Sequence, residues 1–300
     1  MGPVILVFVV SVFLLDELME GRPMPGFLGW MGLERIPSGA AMFPAIVAIG
    51  IFAALELSAI LTNKGILASK RVMSGAATLG LVVTTFVPDS FPGATGAAIF
   101  SMAAAAVLAF SMVFYSRHRS VEGVVAAAGG ALLAFVYLGL MFGALLAIRR
   151  EHSAWVLLWV LVVTKSCDIG AYFTGRAIGK HKLIPWLSPG KTWEGLMGGL
   201  ALSTLVSYLG LLLLERGGIT VPPLWACLVP GVLFGVVGQA GDLMESVFKR
   251  DAAVKDSGAT VPGMGGVLDV LDSVLLVGPL AYWWLWILEA KGYFVSPEGL

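Results

Sequence analysis

Charge is what this sequence has least of. Asp, Glu, Lys and Arg make up 13% of the 300 residues while hydrophobic residues make up 58%, and mean hydropathy is +0.91. That leaves far too little polar surface to cover a soluble globule of this size, so a polytopic membrane protein is expected. No sign of charge dominates either: 19 basic residues meet 19 acidic ones. Without a net field the chain recruits no nucleic acid, and any anion binding has to be local. Cysteine is nearly absent. Cys167 and Cys227 both sit in apolar runs, which excludes a disulfide framework and makes them small packing residues. No fixed-period repeat and no low-complexity linker divides the chain.

What the chain has in excess is apolar runs. Crossing about 30 Å of hydrocarbon takes roughly 20 helical residues. Strong runs lie near 40–62, 95–115, 122–148, 154–175, 195–214, 224–243 and 267–288. Two weaker stretches, 3–15 and 73–88, bring the expected architecture to an all-α polytopic protein with about nine transmembrane helices. The 3–15 run has neither a basic n-region nor an A-x-A-like cleavage site, so a retained helix is expected there rather than a removed signal peptide. Loop charge then orients the bundle. The loops after the even-numbered spans hold Lys64, Lys70, Arg71, Arg117, Arg119, Arg176, Lys180, Lys182, Lys191, Lys249, Arg250 and Lys255; the opposite side holds Arg22, Arg35, Arg149, Arg150, Arg216 and Lys291. Twelve against six predicts that the even-numbered loops face the cytoplasm, from a multi-pass location in the cell membrane.

Against this background the stretch 241–273, GDLMESVFKRDAAVKDSGATVPGMGGVLDVLDS, stands apart. Its charges of both signs, interleaved with glycine between two apolar runs, point to a polyphosphate and metal site at a membrane surface. Asp242, Ser246, Lys249 and Arg250 are spaced i, i+4, i+7 and i+8, one side of a helix that continues past 243. Asp269, Asp272 and Ser273 aim oxygen in one direction from the start of the last span. Pro262, Gly263, Gly265 and Gly266 shape the loop between. Mg2+ takes oxygen ligands and bridges substrate phosphates, so one or two carboxylates from each helix end suffice. Taken singly, Asp269 is a buried ion-pair partner and Lys249 and Arg250 are membrane anchors; taken together the group favours a site. The spans of residues 1–150 are rich in Ala and Gly and nearly free of charge, so that half is expected to be scaffold and 151–300 to carry the chemistry.

A second constellation comprises Lys165, Asp168, Tyr172, Arg176, Lys180, His181, Lys182 and the run SPGKTWEG, 188–195. Lys165 and Asp168, at i and i+3 inside an apolar span, can neutralise one another. Gly190, Lys191 and Thr192 suggest a phosphate-binding loop, but Pro185 stands where its first glycine is needed and no strand is expected before it. What remains is a Pro-Gly turn opening a helix, whose free N–H groups and Lys191 could hold a phosphate, with basic residues beside it suited to anionic lipid.

Ser246, Lys249, Arg250, Lys255, Asp256, Gly258, Pro262, Gly263, Gly265, Gly266, Leu268, Asp269 and Asp272 form the pattern S-x-x-K-R-x4-K-D-x-G-x3-P-G-x-G-G-x-L-D-x-x-D. It closely resembles the signature of the phosphatidate cytidylyltransferases, the CDP-diacylglycerol synthases. DIGAYFTGRAIGKHKL, SPGKTWEG and GDLMES resemble that family too, so the likeness covers about residues 160–280. Met264 stands where the family usually has His, and Val270 where it usually has Arg. The resemblance implies a Mg2+-dependent reaction of CTP with phosphatidate in the bilayer, giving CDP-diacylglycerol and pyrophosphate for phospholipid biosynthesis. Asp242 and Asp269 are then the first metal ligands, supported by Asp272 and Ser246. Lys249, Arg250, Lys255 and Asp256 join the two aspartates in catalysis, while Lys191, Arg176, Ser246, Gly263, Gly265 and Gly266 bind substrate. A phosphate monoester is largely a dianion at pH 7, so the attacking group needs no dedicated base, and of His118, His152 and His181 none lies in the signature. Two other classes stay open at this point: a CTP-dependent lipid-alcohol kinase, and a transporter using Lys165 and Asp168. A homo-oligomer is equally open.

Overall fold

The computed structural model describes residues 2–24, 34–91, 93–117, 121–218, 220, 222–261, 263 and 265–293. Its helices are α1 Gly2–Met19, α2 Met42–Asn63, α3 Lys70–Ser90, α4 Ala94–Ser116, α5 Val124–Leu133, α6 Met141–Glu151, α7 Ala154–Ile178, α8 Trp193–Arg216, α9 Leu224–Asp251 and α10 Val267–Ala290. A π-helical stretch, Ala134–Leu140, joins α5 to α6 as one rod. Among the described residues, seven rods are long and apolar enough to cross a membrane: Met42–Asn63, Ala94–Ser116, Val124–Glu151, Ala154–Ile178, Trp193–Arg216, Leu224–Asp251 and Val267–Ala290. They coincide with the seven stronger runs of the sequence, and the protein is a nearly all-α, multi-pass membrane protein. The two weaker stretches are also helical, as α1 and α3, but fall outside that set.

Lipid gives apolar side chains no reason to leave it, so helices in a bilayer associate by close packing of small residues. Gly80 of α3 lies so near the π-helical stretch that a Cβ there would stand 2.5 Å from the Phe135 carbonyl oxygen. On α9, a Cβ at Gly241 would stand 2.5 Å from the Asp272 carbonyl oxygen. That second contact draws α9 and α10 together at the level of Asp242 and Asp272.

At one end of the bundle, contacts gather the loops that follow the second, fourth, sixth and eighth expected spans. Lys64 pairs with Asp251 at 2.7 Å, the Ser69 amide donates to the Tyr115 hydroxyl at 2.8 Å, and Arg250 Nε reaches the Leu187 carbonyl at 3.5 Å. At the other end, fully buried Arg149 meets Asp16 at 2.6 Å, Glu17 at 3.2 Å and Glu20 at 2.7 Å. Asp16 also accepts from the amides of Gly39, Ala41 and Met42 where α2 begins, and Glu17 accepts from the Ala154 amide where α7 begins.

One expectation needs correction. A strand does lie beside the SPGKT run: β2, Ser188–Thr192, pairs antiparallel with β1, Lys182–Ile184, in the register Lys182 to Thr192 and Ile184 to Ser188. The turn therefore does not open a helix directly. Helix α8 starts after it, capped by Thr192, whose hydroxyl accepts from the Gly195 amide at 3.1 Å. The Trp193 amide is taken by the His181 carbonyl, and the Glu194 carboxylate accepts from the amides of Lys180 and His181. With these groups engaged inside the hairpin, Lys191 rather than a helix N-terminus is the phosphate candidate here.

Candidate active site

Helix α9 runs to Asp251, well past the end of its apolar run. Its last turns carry Asp242, Glu245, Ser246 and Lys249, at i, i+3, i+4 and i+7, along one side. The first turns of α10 present Asp269, Asp272 and Ser273 toward it. One carboxylate oxygen each from Asp242, Glu245 and Asp272 lie within 4.8 Å of one another. Two oxygens on opposite sides of one Mg2+ stand about 4.2 Å apart, so the trio is within a small side-chain adjustment of a shared ion.

Lysines frame the trio. Lys191 on β2 pairs with Asp242 at 2.8 Å and donates to Gln239 Oε1 at 2.8 Å. Gln239 Nε2 in turn donates to Asp168 at 2.8 Å. Lys165 bridges Asp168 at 3.5 Å, Asp272 at 3.2 Å and the Ser273 hydroxyl at 2.6 Å. The sequence paired Lys165 with Asp168 alone; the structure makes the lysine a link between α7 and α10. Lys249 meets Glu245 at 2.5 Å and Asp269 at 2.7 Å. Glu245 is fully buried, and among the described residues neither of its oxygens has a well-formed hydrogen bond. Nearby, the buried Tyr137 hydroxyl from the π-helical stretch has no hydrogen-bond partner among the described residues, while its ring stacks edge-on against Phe248 of α9 at 5.5 Å.

The centre thus holds five carboxylates, Asp168, Asp242, Glu245, Asp269 and Asp272, against three ammonium groups, Lys165, Lys191 and Lys249. All the free donors are hard oxygen, the ligand type Mg2+ prefers.

Asp269, expected with Asp242 as a first metal ligand, is not one of the trio and folds back over the start of its own helix. Its carboxylate accepts from the Gly266 amide at 2.6 Å, the Ser257 amide at 3.0 Å and the Ser257 hydroxyl at 2.9 Å, in addition to Lys249. As the third residue of α10, Asp269 is placed to satisfy open backbone donors. Asp272, one turn further in, and Glu245 complete the oxygen trio instead. Ser246 is buried beside it on α9.

Other candidates lie further out. Lys255 and Asp256 are exposed on the loop after α9. Arg250 ties that loop to the hairpin through Leu187 and Val254. Arg176, in the last turn of α7, donates to the Tyr172 hydroxyl at 3.0 Å. Gly263 and Gly265 adopt φ of +78° and +92°, which glycine accommodates without strain. Gly266 begins α10, and Pro262, Met264 and His118 lie outside the described residues.

Sequence reasoning passed over Glu56. It sits in α2, within the half taken as scaffold, and is buried among the loop residues that precede α10. The signal was available, since an ionisable residue inside an apolar run is costly and by default functional. Glu245 lies inside the charged stretch 241–273 but, like Gln239, carries no role in the sequence reading.

The fold and this centre define an integral-membrane protein with an oxygen-rich, lysine-framed pocket of charge among its helix ends. The sequence model of the cytidylyltransferase family matches residues 29–288, and the chain belongs to that family. The phosphatidate cytidylyltransferase of Staphylococcus saprophyticus is 42% identical over 149 residues, covering 50% of this chain and 55% of its own. That of Bacillus subtilis is 39% identical over 155 residues, 51% and 56% respectively. That of Chlamydia trachomatis is 37% identical over 182 residues, 57% and 58%. The chain thus spans a little over half the length of the curated relatives it matches.

Proposed function

We propose that the protein transfers the cytidylyl group of CTP to phosphatidate, giving CDP-diacylglycerol and pyrophosphate for phospholipid biosynthesis. The observation that carries this reading is the meeting of the Asp242, Glu245 and Asp272 oxygens within 4.8 Å, framed by lysines from three different elements, in a family of cytidylyltransferases. A phosphate oxygen of phosphatidate attacks the α-phosphorus of CTP, and the bond from that phosphorus to the bridging oxygen of pyrophosphate breaks. The attacking monoester is already largely ionised at pH 7, so positioning and charge neutralisation carry the reaction.

Asp242, Asp272 and Glu245 fit Mg2+, with Ser246 and Asp269 beside them; bound there, the ion would neutralise charge on the triphosphate. Lys191, Lys249 and Lys165 lie close enough to serve phosphate oxygens, and Arg250, Lys255 and Arg176 stand at the rim toward which an anionic headgroup comes. Lys255, Asp256 and the glycines 263, 265 and 266 belong to the loop over the site. Residues 151–300 carry most of this chemistry and 1–150 serve mainly as scaffold. The excess of basic residues in the loops gathered at this end supports an orientation toward the cytoplasm of the cell membrane, where CTP is made.

The test is product release by purified protein given CTP, phosphatidate and Mg2+. Pyrophosphate and CDP-diacylglycerol are expected. Release of CDP would replace this reading with a lipid kinase, and solute movement across sealed vesicles without CTP consumption would replace it with a transporter.

A further inference from the structure

Helix α10 opens on Gly266, a residue with no side chain to cap it, yet its first amides are satisfied. The oxygens come from another helix. Glu56 of α2 accepts from the Val267 amide at 2.9 Å and from the Leu268 amide at 2.8 Å, one on each carboxylate oxygen. The same carboxylate accepts from the Thr260 hydroxyl at 2.7 Å and stands 3.2 Å from the Ser257 hydroxyl. Two glycines of the signature make room for it: a Cβ at Gly258 would lie 2.9 Å from Glu56 Oε1, and one at Gly266 would collide with both Glu56 Oε2 and the Ser257 hydroxyl. Glu56 is 7% exposed, and a negative charge at this point also complements the positive end of α10.

The Ser257 hydroxyl has one proton and two carboxylates within reach, Asp269 at 2.9 Å and Glu56 at 3.2 Å. Through it the two carboxylates share one hydroxyl, and Asp269 in turn holds Lys249. Among the described residues Glu56 bonds to Ser257, Thr260, Val267 and Leu268 and to none of the trio or its lysines, so it fixes the segment and helix start that present Asp269 and Asp272 to α9.

We propose that Glu56 is a positioning residue: from the N-terminal half it caps α10 and clamps segments 257–261 and 265–268, setting Asp269 on Lys249 and Asp272 beside Asp242 and Glu245. The consequence for the reaction rests on the cytidylyl-transfer reading; the clamp itself does not.

The experiment compares the full-length protein with Glu56→Gln, Glu56→Asp and Thr260→Val, by amide exchange with and without Mg2+ and by pyrophosphate release across a Mg2+ titration. Gln keeps the volume but turns a donor toward a backbone amide. In Glu56→Gln, exchange of residues 257–261 and 265–268 should rise at least about tenfold while residues 275–288 keep their protection. The half-saturating Mg2+ concentration should rise and kcat/KM fall by about 10–100-fold, the range for groups that orient metal ligands. Glu56→Asp should recover part of both effects, and Thr260→Val, which removes one donor without touching Asp269, should show a smaller version of each. Unchanged exchange in Glu56→Gln overturns the clamp, and so does loss of protection spread over the whole bundle. Faster loop exchange with an unaltered Mg2+ dependence overturns the positioning role. A wild-type protein that releases no pyrophosphate sinks the cytidylyl-transfer reading only, because Mg2+-dependent protection of 256–272, present in wild type and lost in Glu56→Gln, still decides for or against Glu56.

Discussion

Two clusters of buried charge sit at opposite ends of this bundle, and they are built differently. Around Arg149 one cation faces Asp16, Glu17 and Glu20, but the surplus acid is answered by fixed donors: three amides on Asp16, the Ala154 amide on Glu17 and the Ser38 hydroxyl on Glu20. Burial pushes the Glu20 carboxyl up, yet the Ser38 hydroxyl and Arg149 outweigh it and hold the group below its usual range. This cluster is closed. At the other end, Asp242 and Glu245 are answered by lysine side chains, Asp272 by Lys165 and its neighbouring Ser273 amide, and Glu245 keeps both oxygens short of well-formed hydrogen bonds. That cluster has acid to spare and partners that can move, which is what a site taking a cation and a polyphosphate needs. A buried charge whose donors are backbone amides belongs to the architecture; one whose donors are flexible ammonium groups is available for chemistry.

The comparison predicts a double dissociation, largest effect first. Asp242→Asn and Asp272→Asn should each lower kcat/KM by more than about 100-fold, beyond the usual range for residues that merely support metal ligands, while the thermal midpoint in detergent stays near wild type. Normal turnover of either variant at saturating Mg2+ removes that carboxylate from the proposed site.

Arg149→Met should do the reverse. Removing one partner of a buried ion pair leaves uncompensated charge and costs about 3–5 kcal/mol, so the variant should unfold at much lower temperature or denaturant. The fraction that remains folded should turn over CTP normally. A large drop in kcat per folded molecule would show that the two ends are coupled and that the division drawn here is too sharp.

How legible was this in the sequence? The rods were, because runs such as 40–62 and 267–288 are set by hydrocarbon thickness and need no partner to be recognised. The charged stretch was legible because fixed spacing within one helix, as from Asp242 to Lys249, survives folding intact. What could not be read was which helix answers which. Asp269 and Asp272 are one turn apart and equivalent in sequence, yet the first turns to Lys249 and the second, where Gly241 packs against it, joins Asp242 and Glu245. Glu56 lies some two hundred positions from the amides it caps, a separation no local pattern encodes. The β1–β2 hairpin was missed because its strands are three and five residues long and the longer includes Pro and Gly, so neither carries an alternation to detect.

The smallest effect concerns a group at the closed end. His152 lies between α6 and α7, 4% exposed, with Nδ1 3.5 Å from a Glu289 carboxylate oxygen. Burial pushes its imidazole down to about 4 from an ordinary 6.5, so the folded protein holds it neutral through the physiological range. Below about pH 6.5 the unfolded chain binds a proton that the folded one refuses, so this contribution is complete above pH 6.5 and shrinks as pH falls toward 4. At about 1.4 kcal/mol per unit, the loss reaches roughly 2 kcal/mol at pH 5. Other carboxylates titrate over the same range, so the informative quantity is the difference in thermal midpoint between wild type and His152→Asn, which cannot charge. That difference should move against wild type between pH 7 and pH 5 and level off below pH 4. If it stays constant across the interval, His152 titrates alike in both states, and the closed end is more open to protons than its burial implies.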